Sequence, residues 1–166
     1  MTNELQALLD YADELHQKHL LSESTDPFAY DPGKTEHLDQ YDGVFEPESK
    51  TLTIFTEVMG LRYEDRSRHL EKLAVSDSIV LRRDSGNPYN SNNFELFRND
   101  GKTLGTLPRE LCNRLAPLYD TNAIRIIKVQ ASYIEQFNDR SRYVKQGVLF
   151  VQIELHILHS AICSGT

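Results

Sequence analysis

Tryptophan is absent from this sequence, and 166 residues hold only two cysteines and two methionines. Without tryptophan, aromatic packing falls to eight Tyr and seven Phe. Cys112 and Cys163 lack any metal-ligand spacing. One lies in a helical pattern and the other near the C-terminus, so reduced thiols in a cytoplasmic protein are expected. No apolar run approaches the roughly 18 residues a membrane span needs, and the first twenty residues lack a signal peptide's apolar centre. The expectation is a cytoplasmic protein with no membrane contact. A phosphate loop is missing too. Asp31-Pro-Gly-Lys-Thr35 resembles the end of one, but Phe28 stands where its first glycine is required and no helical run follows.

Catalytic and metal constellations are equally lacking. His16, His19, His37, His69, His156 and His159 are scattered along the chain. His16 and His19 share a helix face without a third ligand nearby, so no metal site is expected. Asp39 and Asp42 form no recognisable hydrolytic pair, and neither cysteine has a base beside it in sequence. The reading is a non-enzyme with no catalytic residues and no cofactor.

What the chain does have is an uneven charge. Its net charge is −7, yet residues 1–50 carry twelve acids against three lysines, while residues 61–128 carry twelve Lys or Arg against nine acids. Nine of those twelve cations are arginine, which suits planar, bidentate or stacked contacts.

Periodicity divides the chain into elements. Leu5, Leu8, Leu9, Ala12, Leu15 and Leu20 fall near helical spacing after a capping Thr2 or Asn3, and predict a helix ending near Leu21. Residues 22–43 are rich in Asp, Pro, Gly and Ser and read as a linker. The division expected is an acidic N-terminal helix and linker over 1–43 and one domain over 44–166. Val44-Phe45 and Leu52 to Val58 flank a turn and read as a hairpin. A short charged helix over 64–73 follows, with Leu70 and Leu73 inward. Ser78 to Arg83 and Phe94 to Arg98 read as strands on either side of a ten-residue loop, Asp84-Ser-Gly-Asn-Pro-Tyr-Asn-Ser-Asn-Asn93. Asn99-Asp-Gly-Lys102 is a turn before Leu104 to Leu107. Pro108 opens a helix with Leu111, Leu115 and Leu118 inward.

Two long strands close the chain. In the first, Ile124 and Ile126 share one face while Ile127, Val129, Ala131 and Tyr133 follow the other phase, as a β-bulge produces. In the last, Val151, Ile153, Leu155 and Ile157 alternate with Gln152, Glu154 and His156. The fold class predicted is mainly β with helices (α+β): a small, partly open, OB-like barrel with an N-terminal helical extension.

The central loop has turn chemistry: Gly86 is free to take positive φ, Pro88 fixes its own, and the asparagines can bond local backbone. Tyr89 at its tip is either a plug over the barrel end or a platform for a ligand. Likewise Tyr63 is a plug or a platform, Arg109 a phosphate contact or a solvated helix-end charge, and Asn87 a ligand contact or a loop brace.

Gly60-Leu-Arg-Tyr63, Leu81-Arg-Arg-Asp-Ser-Gly-Asn-Pro-Tyr-Asn-Ser-Asn92, Leu104-Gly-Thr-Leu-Pro-Arg-Glu110 and Leu115-Ala-Pro-Leu-Tyr-Asp120, in that order, resemble the HIRAN domain. The resemblance covers about residues 52–158. It implies recognition of single-stranded DNA with a preference for a free 3′ end, in DNA repair or processing. Position by position it implies a nucleic-acid pocket of Arg62, Tyr63, Asn87, Tyr89, Asn90, Thr106 and Arg109. Two positions depart from the family pattern. The loop usually ends in Asp, where this chain has Asn90, and Thr106 replaces a common Tyr or His. The first fifty residues match nothing in the family. The competing reading is a protein-interaction or regulatory module, with a protein partner bound through the acidic residues 1–43. That segment is also a candidate electrostatic brake on nucleic-acid binding, unless its leucine face simply docks on the barrel.

Overall fold

The computed structural model describes residues 3–23, 45–61, 66–136 and 147–158. The order is α1 (Asn3–Glu23), β1 (Phe45–Glu46), β2 (Thr51–Glu57), a 3-10 helix (Arg66–Lys72), β3 (Val80–Asp84), β4 (Asn93–Phe97), β5 (Thr103–Thr106), α2 (Arg109–Asp120), β6 (Ile124–Gln136) and β7 (Gly147–Ile157). The strands form two antiparallel sheets, one ordered β1-β2-β7-β6 and the other β3-β4-β5. This is the α+β class the pattern predicts. The sheets do not close into one barrel. They are joined at two isolated bridges, Met59 with Thr106 and Ser78 with Gln130.

Alternation builds the first sheet. In β7 Val151, Ile153, Leu155 and Ile157 are all buried and meet Leu52 and Ile54 of β2 in a single core. The slip expected in β6 is present, but it is doubled. Its register against β7 shifts between Ile126 and Lys128 and again between Ala131 and Tyr133. Ile124, Val129 and Ala131 therefore point inward, whereas Ile127 and Tyr133 are 45% and 47% exposed. The phase that begins at Ile127 in the sequence is buried only from Val129, because Ile127 is itself the bulged residue, and Tyr133 is turned out by the second bulge.

Glycine is required at one point of closure. Gly105 has φ +153°, and a Cβ there would lie 2.1 Å from the Met59 carbonyl oxygen and 2.8 Å from Val58 Cγ1. Its neighbour Thr106 exchanges both backbone bonds with Met59, at 2.8 and 3.0 Å. A side chain at position 105 would push β2 and β5 apart at the junction of the sheets.

The N-terminal helix belongs to the same core. Leu5, Leu8, Leu9 and Ala12, at i, i+3, i+4 and i+7, are fully buried, and α1 packs against β2 and α2. β1 pairs with only the first two residues of β2. The acids Glu4, Asp10 and Glu14 face solvent. At the rim, the Arg114 guanidinium sits 5.0 Å from the Tyr11 ring centroid and pairs with Glu110 at 3.0 Å. Burial, with the Glu110 charge second, raises the Tyr11 hydroxyl above its ordinary pKa. The docking that competes with the brake is thus the arrangement α1 adopts. Residues 24–44, which hold the phosphate-loop-like run, His37, Asp39, Asp42 and the 43/44 division, lie outside the described residues.

Leu8→Ala should cost roughly 2–5 kcal/mol, the range for emptying a buried leucine site. Chemical denaturation should show this as a lower midpoint with an unchanged slope. Removal of residues 1–43 should lower thermal stability further, because it takes the buried side chains of α1 out of the core and uncovers α2 and β2 where the helix packs.

Candidate nucleic-acid interface

The loop between β3 and β4 is ordered by its own side chains. Asn87 Oδ1 accepts the backbone N–H groups of Tyr89 and Asn90, at 2.9 and 3.1 Å. Its amide nitrogen donates to Asp84 at 3.0 Å, and Asn93 donates to the same carboxylate oxygen at 3.1 Å. Asn90 Oδ1 accepts the N–H of Asn92 at 3.1 Å. The Asn93 and Asn87 amides hold the Asp84 carboxyl below its ordinary pKa. Asn87 is therefore the brace of the loop, as one of its two readings required.

Arginine ties this loop to the helix behind it. Arg83 donates to Ser91 and Asn93 carbonyls at 2.7 and 3.1 Å and grips Asp120 bidentately, both contacts 3.0 Å. The guanidinium lies 5.5 Å from the Phe94 ring centroid, and it lowers the pKa of Asp120. Halfway along α2, Asn113 accepts a bond of 3.2 Å from Asn92.

The loop, the bridge between the sheets and the start of α2 enclose a cleft of about 380 Å³ lined by Met59, Asn87, Tyr89, Asn90, Asn93, Thr106, Leu107 and Arg109. Five of the seven residues expected in the pocket line it together: Asn87, Tyr89, Asn90, Thr106 and Arg109. Arg62 and Tyr63 lie outside the described residues. Met59, Asn93 and Leu107 were not anticipated. Asn93 closes the central loop, and its pairing with Asp84 across the hairpin was the available signal. Met59 reaches the cleft only through the long-range bridge to Thr106, which leaves no local trace in sequence.

Tyr89 is 86% exposed. It caps no core, and the plug reading fails. Arg109 is exposed and has no ion-pair partner among the described residues. It occupies the first position of α2, whose N-cap is Pro108 and whose first turn receives no side-chain cap. Free N–H groups of that kind attract anions. Beneath the cleft, Cys112 is buried and unpaired, and burial pushes its thiol up. No cluster of three or more His, Cys, Asp or Glu suited to a metal occurs among the described residues. No described helix is long and apolar enough to cross a membrane.

A flat ring, Tyr89, and a cation without an ion-pair partner among the described residues, Arg109, thus line one cleft together with the apolar Met59 and Leu107. The HIRAN domain family model matches residues 52–150, and the chain belongs to that family. Among solved structures, the chain is similar to the HIRAN domain of human HLTF, with a TM-score of 0.48 and 19% identity over 67% of this chain and 81% of that one. It is also similar to a protein from Lactobacillus plantarum, with a TM-score of 0.44 and 21% identity over 64% and 99% of the two chains. The HLTF HIRAN domain in its DNA-bound conformation matches with a TM-score of 0.44 and 19% identity, over 68% and 80%. A search of curated proteins returns no match.

A depressed Asp84 pKa has a fixed sign. The carboxylate's contribution is fully present above the ordinary Asp value of 3.8 and is lost as pH falls through its lower folded value. Side-chain amide resonances of Asn87 and Asn93 should hold steady down to the ordinary carboxylate range and shift together only below it. In Asp84→Ala both should lose their dispersion at neutral pH.

Proposed function

We propose that this protein is a non-catalytic binder of single-stranded DNA that takes the strand's free 3′ end into the cleft between the central loop and the start of α2. The observation that carries this reading is the convergence of Tyr89, Asn90, Thr106 and Arg109, from three separate segments, on one cleft. Single strands need flat side chains for their bases and cations for their phosphates. Tyr89 supplies the ring, held outward by the Asn87 brace, and Arg109 supplies the cation at a helix start that itself favours anions. Family membership points the same way, since one HIRAN domain has been solved in a DNA-bound conformation. With that partner, the role we propose is in DNA repair or processing, and the location we propose is the cytoplasm.

The alternative, a protein partner bound through residues 1–43, draws less support from α1, whose leucine face is already committed to this chain's own core.

Fluorescence titration with short oligonucleotides tests the proposal. Tyr89→Ala should weaken binding by about 1–3 kcal/mol through lost stacking, while Tyr89→Phe changes little. Arg109→Ala should reduce the salt dependence of binding by roughly one phosphate contact. If both alanine variants bind like the parent with an intact circular dichroism spectrum, the cleft is not the nucleic-acid site.

A further inference from the structure

Which chemical groups the cleft presents decides what it can hold. No described carboxylate lines it. Each of its three amide oxygens already faces a donor within the protein. Asn87 Oδ1 accepts from Tyr89 and Asn90 N–H, and Asn90 Oδ1 accepts from Asn92 N–H. Asn93 Oδ1 faces the Cys112 thiol at 4.0 Å. Those backbone donors fix the amide orientations of Asn87 and Asn90, because only oxygen can accept there. Asp84, which accepts from the Asn93 amide nitrogen, fixes the third.

The groups left over are donors. The Asn90 amide nitrogen donates to no described residue. Arg109 is unpaired, Thr106 adds a hydroxyl, and the first turn of α2 is uncapped. Of the nearby described acids, Asp84 takes both amide bonds on one oxygen and Glu110 pairs with Arg114, and neither lines the cleft. A terminal hydroxyl is selected best by a carboxylate acceptor, and no described carboxylate lines the cleft. A terminal phosphate monoester needs several donors and a cation, and these are what remain.

From this inventory we infer that the cleft selects a strand end carrying a phosphate monoester over one carrying a hydroxyl, with Asn90 as the residue that sets the choice. The inference rests on the strand-end reading above and sharpens it. Asn90 discriminates through its unbonded amide nitrogen, which donates to a phosphate oxygen. In Asn90→Asp the corresponding oxygen would repel that phosphate and accept from a hydroxyl instead. The other carboxylate oxygen can still accept from Asn92 N–H, so the loop keeps its brace.

The full chain should be titrated with a dye-labelled oligothymidylate in forms differing only at the unlabelled end. One pair carries a 3′-hydroxyl or a 3′-phosphate, and a second pair a 5′-hydroxyl or a 5′-phosphate. The expected result is binding about tenfold tighter for a phosphorylated end, the size of one charge-assisted hydrogen bond. The two pairs show which end supplies it. Asn90→Asp should abolish or reverse that preference while leaving the thermal midpoint near the parent's. Equal or tighter binding of the hydroxyl forms by the parent would overturn the inference and leave strand binding standing. A phosphate preference unchanged in Asn90→Asp would also overturn it, because Asn90 would not be the selector. No binding of any form would overturn the strand-end reading, and this inference with it.

Discussion

The two backbone bonds between Met59 and Thr106 are the constraint on which the rest of this molecule hangs. They fasten the end of β2 to the end of β5, and so one sheet to the other, at the point where the cleft opens. The approach is close enough that only glycine fits at position 105. From that junction the chain runs through Leu107 and Pro108 directly into α2, so the start of the helix, and Arg109 with it, is placed by the bridge. The core on one side and the cleft on the other share this junction. A change that loosened it would disturb both.

Much of the architecture is legible because it is local. The unbroken alternation of β7 and the leucine spacings of α1 and α2 each report an element's own periodicity, which water enforces residue by residue. The doubled bulge of β6 shows where that signal ends. One slip is visible as a change of phase, but two slips five residues apart partly cancel, and no pattern distinguishes Ile127 turned out from Ile127 turned in. Only the register against β7 settles it. The pairing of sheets through Met59 and of Ser78 with Gln130 is non-local, and sequence carries no periodic trace of it.

The cleft was legible to a different degree. Turn chemistry marks the central loop, and the family resemblance selects Asn87, Tyr89, Asn90, Thr106 and Arg109, which do meet. Their individual duties were not readable. Asn87 and Tyr89 look alike in sequence as polar loop residues beside a proline, yet one is consumed in holding the loop and the other is left exposed. That difference arises from which backbone N–H groups the turn happens to aim at the Asn87 oxygen. Asp84 and Arg83 were passed over because their roles are to bond neighbours rather than a ligand.

The ties from Arg83 and Asn92 to α2 carry a further meaning when considered as a frame. Asp120, near the helix's end, and Asn113, at its middle, each hold the loop that forms one wall of the cleft, while the first residue of the same helix forms the other. The helix thus runs beside the opening and is tied to the loop side at two points along its length. Ties made within the fold leave less of the opening's width for an incoming molecule to set. A frame of this kind trades adaptability for discrimination: a ligand of the wrong shape or charge would meet walls already held in place.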